Sequence, residues 1–144
     1  SPAALEYKYD GFRIQIHCDG KNVRLFTRNM EEVTKQFPDV VENVKKHVGG
    51  KDYILDCEAV GFSPKTKKYL PFQKISQRIK RKYETERMAK EYPVEINAFD
   101  IIYYNGKNLL SMDFQDRRKL LEKIVKQELD SWKRSECQIS DRCY

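Results

Sequence analysis

With 144 residues, 40% of them hydrophobic and 35% charged, the chain is long enough to bury one core and too short for two ordinary domains. It has no apolar run near the roughly 18 residues that cross a bilayer, and no leader with a basic start and an apolar centre, so neither a membrane span nor secretion is expected. The net charge of +6 favours a polyanionic partner such as nucleic acid or a nucleotide.

Residues 5–9 alternate like a strand, with Leu5, Tyr7 and Tyr9 on one face and Glu6, Lys8 and Asp10 on the other. Gly11 is placed to let the chain turn close to a ligand. Residues 12–18 and 23–27 alternate on either side of Asp19-Gly20 and read as a hairpin. Pro38, Val40, Val41, Val44 and Val48 follow at helical spacing, with Gly49-Gly50 as the stop. Residues 53–62 read as a central strand ended by Ser63-Pro64, and residues 67–70 as its returning hairpin arm.

Residues 72–91 read as one helix with Phe72, Ile75, Ile79 and Tyr83 along one face, closed by Pro93. Residues 63–90 hold ten Lys or Arg against two acids, a local charge of +8 (ten minus two) that exceeds the net charge of the whole chain. Such a run serves either as a solvated helix face or as a phosphate-contacting surface. Residues 94–104 are strand-like and run into Asn105-Gly106, a strong hairpin signal. Ser111 or Asp113 then caps a helix carrying Phe114, Leu120, Leu121, Ile124 and Val125. Residues 133–144 are polar, weakly periodic and expected to fray. Antiparallel hairpins interleaved with about three flanking helices predict an α+β domain rather than a doubly wound parallel sheet.

Cys18, Cys57, Cys137 and Cys143 show neither Cys-x-x-Cys spacing nor a zinc-like grouping with His17 or His47. A reduced, intracellular (cytoplasmic) protein without structural metal is expected, with Cys57 packed as a small hydrophobe and the histidines at the surface or a sheet edge.

Four separated segments hold the chemistry. They are Glu6-Tyr7-Lys8-Tyr9-Asp10-Gly11-Phe12-Arg13, then Phe26-Thr27-Arg28-Asn29-Met30, then Leu55-Asp56-Cys57-Glu58-Ala59-Val60, and last Asn97-Ala98-Phe99-Asp100-Ile101-Ile102. A lysine amine, with an ordinary pKa of about 10.4, attacks phosphorus only after losing its proton. Glu6 and Lys8 stand two apart on a strand and share a face. Glu58 is an acid in an apolar strand, costly to bury unless it meets a hydroxyl donor or an internal cation. Phe99 is either a core aromatic or a stacking face, Arg28 a hairpin-edge charge or a phosphate ligand, and Asp10 a turn-fixing or lysine-orienting acid.

In this order the segments resemble the motifs of the covalent nucleotidyltransferases, specifically the ATP-dependent DNA ligases of the archaeal and eukaryotic type, over the span from Lys8 to about Leu121. The resemblance implies a partial adenylation domain of nucleotidyltransferase (ATP-grasp-like) fold at residues 1–126, with residues 127–144 a divergent C-terminal segment. It implies that Lys8 attacks the α-phosphorus of ATP, releasing pyrophosphate and leaving lysyl-AMP, on the way to sealing nicked double-stranded DNA in repair, replication and recombination. It also implies that Glu6 contacts the adenine edge and that Arg13 and Arg28 lie near ribose and phosphate. It further implies that Glu58 holds the ribose hydroxyls and that Phe99 stacks on adenine.

Mg²⁺ is implied by the phosphoryl chemistry, although no dedicated carboxylate cluster for it stands out. The family's later Glu-Gly motif and second lysine motif have no counterpart here, nor do its N-terminal DNA-binding and C-terminal OB-fold domains, so a truncated chain is expected. An inactive nucleotide- or nucleic-acid-binding remnant and an RNA ligase-type nucleotidyltransferase are the alternatives; the Phe-Thr-Arg-Asn and Phe-Asp-Ile-Ile segments favour the DNA ligase reading.

Overall fold

The computed structural model describes residues 5–6, 10–126, 137–139 and 142–143. Its frame is a mainly antiparallel sheet in the order β3-β2-β4-β6-β7, built from β2 (Phe12–Asp19), β3 (Val23–Thr27), β4 (Asp52–Ser63), β6 (Val94–Tyr104) and β7 (Lys107–Asn108). The arm β5 (Lys68–Leu70) pairs with the end of β4, as expected from the sequence. With α1 (Pro38–His47), α2 (Phe72–Lys80), α3 (Thr85–Glu91) and α4 (Phe114–Ile124), the architecture is the expected α+β one.

Alternation decides which face is buried. Ile14 and Ile16 of β2, Leu25 of β3, and Leu55, Cys57 and Ala59 of β4 are fully buried on one side. Val40 and Val44 of α1 and Leu121 and Ile124 of α4 close over this core, which also takes in Phe37 and Ile75. The hairpin turns follow the sequence signals: Gly20 has φ +98°, and Asn105-Gly106 has positive φ at both residues, as a tight primed turn requires. Asp113 occupies the N-cap position of α4, but its side chain makes no capping hydrogen bond.

Strand β6 departs from simple alternation. Phe99 and Ile102 have no register partner, because the β4 ladder slips by one residue at each of them. The buried apolar positions therefore fall at Val94, Ile96, Ala98 and Ile101, with a step of three where a regular strand steps by two, while the polar Glu95 and Asn97 between them are buried as well. These are β-bulges, which re-aim the side chains around them.

Three expectations need correction. The basic segment is not one helix but two, α2 and α3, broken at Arg81–Glu84 with Glu84 in the left-handed region at φ +56°. Three consecutive cations, Lys80, Arg81 and Lys82, finish the first helix at its negative dipole end. Arg81 and Arg87 then both reach Glu84, and Tyr83 is left 67% exposed instead of packed on the apolar face. His47 is not at the surface. It is 3% exposed at the end of α1, where Nδ1–H donates to the Lys126 carbonyl at 3.0 Å. The backbone bridge Val48–Val125 fastens the ends of α1 and α4 beside it. Residues 133–144, expected to fray, include two paired strands: β8 (Cys137–Ile139) runs parallel to β6, and β9 (Arg142–Cys143) pairs with β1 (Leu5–Glu6).

Candidate active site

Gly11 is needed for a closer reason than a ligand. A Cβ there would stand 2.1 Å from the Ala59 carbonyl oxygen, so only glycine lets the start of β2 lie against β4. That contact sets the register Phe12–Ala59 and Arg13–Glu58. Asp10, just before it, accepts the Phe72 N–H at 3.4 Å and places an acid at the N-terminus of α2, where the helix dipole favours it.

Arg13, Arg28, Glu58 and Phe99 come together around one cleft of about 490 Å³, within the range of small-molecule sites. Four elements deliver them. Arg13 and Glu58 face each other across the β2–β4 ladder. Arg28 lies on the turn after β3, closed by the Met30 N–H donating to the Thr27 carbonyl at 2.9 Å. Phe99 is the bulge residue of β6, half-buried and turned to the cleft. Glu6 belongs to β1, whose side chains fall outside the described residues, as does Lys8 entirely.

The charges in the cleft differ in how they are employed. Arg13 grips Asp56 with two N–H donors: Nε–H to Oδ1 at 2.8 Å, and Nη2–H to Oδ2. That hydrogen bond holds the guanidinium above its ordinary pKa. The internal ion pair weighed for Glu58 thus belongs to its neighbour Asp56. Glu58 itself takes no hydrogen bond or ion pair among the described residues. Burial pushes the Glu58 carboxyl above the usual glutamate range; Arg13 opposes the rise and Asp56 adds to it. A half-buried acid of this kind is ready to accept from hydroxyl donors. Arg28 is exposed with no partner among the described residues, a free cation at the cleft mouth.

The cleft also uses residues that the sequence did not single out. Thr27 and Asn29 line it beside Arg28, and their place in the quoted Phe26–Met30 segment was the available signal. Ile79 lines it from α2 with no local cue at all. Asp56 had a cue, an acid two residues before Glu58 and so on the same strand face. Among the described residues no group of three or more His, Cys, Asp or Glu could hold a metal ion.

This α+β sheet domain, with arginines, an acid unpaired among the described residues and an aromatic around one cleft, has the nucleotidyltransferase fold of its solved relatives. The model of the ATP dependent DNA ligase domain matches residues 1–143, and the chain belongs to that family. It is 57% identical over 124 residues to a DNA ligase of Nanoarchaeum equitans (strain Kin4-M), covering 86% of this chain and 22% of that protein. The chain spans about a fifth of the length of the curated relatives it matches. Among solved structures it is similar to the ligase domain of M. tuberculosis LigD, with TM-score 0.59, 32% identity, and coverage of 83% of this chain and 36% of that one. It is also similar to a mycobacterial DNA ligase D complexed with ATP and MES, with TM-score 0.62, 27% identity, and coverage of 96% and 40%. These relatives are DNA ligases, not RNA ligases, and no helix among the described residues is long and apolar enough to cross a membrane.

Proposed function

We propose that this chain binds ATP in the cleft and accepts AMP on Lys8, as the adenylation unit of an ATP-dependent DNA ligase. The observation that carries the reading is the convergence of Arg13, Arg28, Glu58 and Phe99, from four sequence segments, on one cleft. In this reading Phe99 offers its ring to adenine, a contact worth about 1–3 kcal/mol for base–aromatic stacking. Glu58, with no donor among the described residues competing for it, accepts from the ribose hydroxyls, and Glu6 contacts the adenine edge. Arg28 supplies an uncommitted cation to the phosphates. Arg13, already gripping Asp56, lies beside ribose and phosphate with its remaining N–H donors.

Lys8, deprotonated, forms an N–P bond to the α-phosphorus as the bond to the pyrophosphate oxygen breaks. Mg²⁺ would neutralise the polyphosphate in this chemistry, but the described residues do not fit a resident metal, and every step is assigned to the side chains alone. Residues 1–126 form the adenylation unit, and residues 127–144 are a divergent extension whose strands dock on it.

Nicked double-stranded DNA is the partner proposed for the basic segment, within an intracellular protein whose Cys18 is a free thiol. Of its ten cations, Arg78 is buried and Arg81 and Arg87 are paired with Glu84. The seven lysines, Lys65, Lys67, Lys68, Lys74, Lys80, Lys82 and Lys90, are all exposed. Such lysines suit phosphate contact.

Incubation with ATP and Mg²⁺ followed by intact-mass measurement tests the reading. The expected result is a gain of about 329 Da, one AMP residue on lysine, absent in Lys8→Ala. An unmodified wild-type chain refutes self-adenylation by this protein.

A further inference from the structure

We propose that Arg117, outside the cleft, is a positioning residue that fixes the direction of Phe99 through Asp100. The proposal rests on the reading of Phe99 as the base-stacking face. At the bulge β6 gives up a regular ladder partner, so the direction of the Phe99 ring must be fixed by something other than the sheet.

Asp100, the next residue, supplies that restraint. Its Oδ1 accepts its neighbour's backbone N–H, that of Ile101, at 2.8 Å. The same carboxylate takes a fork from Arg117 of α4: Nε–H to Oδ1 at 2.9 Å and Nη2–H to Oδ2 at 3.3 Å. Arg117 is itself held. Its Nη1–H donates to the Met112 carbonyl at 2.6 Å, and its guanidinium lies 5.5 Å from the centroid of the Phe114 ring. The side chains of the pair are 15% and 19% exposed, enough withdrawn from water for geometry to count.

Charge gives a second reason. Across the ladder Asp100 stands opposite Asp56 in register, and like charges directly opposite one another destabilise a sheet. The structure answers with one guanidinium on each: Arg13 on Asp56 and Arg117 on Asp100. Without Arg117 the two carboxylates share one cation, Asp100 swings away, and the Ile101 N–H loses its acceptor. The bulge then relaxes and Phe99 no longer has one direction.

The test uses the 144-residue chain carrying Arg117→Ala, Arg117→Lys, Phe99→Ala and the double variant Phe99→Ala/Arg117→Ala. ATP and inorganic tripolyphosphate are titrated into each, with thermal melts to confirm folding. Phe99→Ala is expected to weaken ATP binding about tenfold, within the span of a lost base–aromatic stack, and to leave tripolyphosphate binding unchanged. Arg117→Ala should reproduce that pattern, and the double variant should bind ATP no more weakly than Phe99→Ala alone. Arg117→Lys keeps the charge but not the planar fork, so it should keep most of the loss while disturbing folding least.

Arg117 losses that multiply onto those of Phe99→Ala, or that fall equally on tripolyphosphate, overturn the positioning role. Wild-type ATP affinity in folded Arg117→Ala and Arg117→Lys, with Phe99→Ala impaired, overturns it alone. Wild-type affinity in Phe99→Ala overturns the stacking reading and the proposal together.

Discussion

Removing the Arg78 guanidinium should be the most damaging single change to the α2 region. Arg78 is fully buried. Its Nη1–H donates to Asp39 Oδ2 at 3.0 Å and to the Tyr92 carbonyl at 3.0 Å, and its Nη2–H to the Gln36 carbonyl at 3.1 Å. The guanidinium also lies 4.4 Å from the centroid of the Phe37 ring. Arg78→Met keeps most of the stem but abandons two carbonyls and a carboxylate. Each stranded acceptor costs about 1–3 kcal/mol, and breaking a buried ion pair about 3–5 kcal/mol in all. The Asp39 side chain is 22% exposed and lies in the first turn of α1, so water and the helix dipole soften its share.

The expected total is about 4 kcal/mol, or a Tm lowered by about 10–20 °C for a domain of this size. Urea unfolding followed by circular dichroism should show the midpoint falling with the slope unchanged. Adding Asp39→Asn should recover about 1–2 kcal/mol, because the orphaned charge goes with it. Stability of Arg78→Met within about 1 kcal/mol of wild type, or no recovery on adding Asp39→Asn, refutes the reasoning. Because Ile79 lines the cleft from the same helix, ATP affinity should fall alongside stability.

Gly11→Ala drives a methyl into the Ala59 carbonyl, and a shift of fixed backbone should cost about 3 kcal/mol, read as a loss of urea midpoint; Gly106→Ala, whose Cβ would meet nothing within 4 Å but whose φ is +88°, should cost less. Equal losses in the two variants defeat the steric account. Glu58→Gln tests the raised carboxyl. A group whose folded pKa is raised contributes stability that is fully present below its unfolded value, about 4.3, and lost as pH rises through the folded value. The glutamine variant escapes that loss, so it should be more stable than wild type at neutral pH, with the difference closing toward pH 4 while ATP affinity drops. A variant less stable at neutral pH contradicts the burial argument. Affinity for nicked duplex DNA should fall about 150-fold between 50 and 200 mM salt if about four of the seven lysines meet phosphates, and a flat titration rules the surface out.

The strands, hairpins and outer helices were legible because their signals are local. Alternation set the core faces of β2 and β4, and Asn105-Gly106 announced its turn. The cleft was legible as a set of segments, since each of the four short motifs holds at least one lining residue. Most of what escaped depends on distance. Arg78 looked like one of ten equivalent cations, and only its meeting with Asp39, thirty-nine positions earlier, buries it. The break between α2 and α3 hid for a different, local reason, because apolar spacing continued through Tyr83 although the helix did not. His47 gave no sign of the Lys126 carbonyl it serves. The bulges of β6 were invisible to a period-of-two reading, which has no place for an extra residue.

Those two bulges also bear on how the chain tolerates changes in length. Phe99 and Ile102 each add one residue to β6, and between them the inward and outward positions are interchanged relative to an unbroken strand. A one-residue deletion at either site removes the extra residue and leaves the partners on both sides in register, Cys57 with Ala98, Asp56 with Asp100 and Leu55 with Ile101, so Ile101 keeps its place in the core. Deleting Phe99 alone therefore keeps the core, at the expense of the aromatic wall of the cleft. Along this strand, single deletions should be accepted at the two bulges more readily than at any paired position.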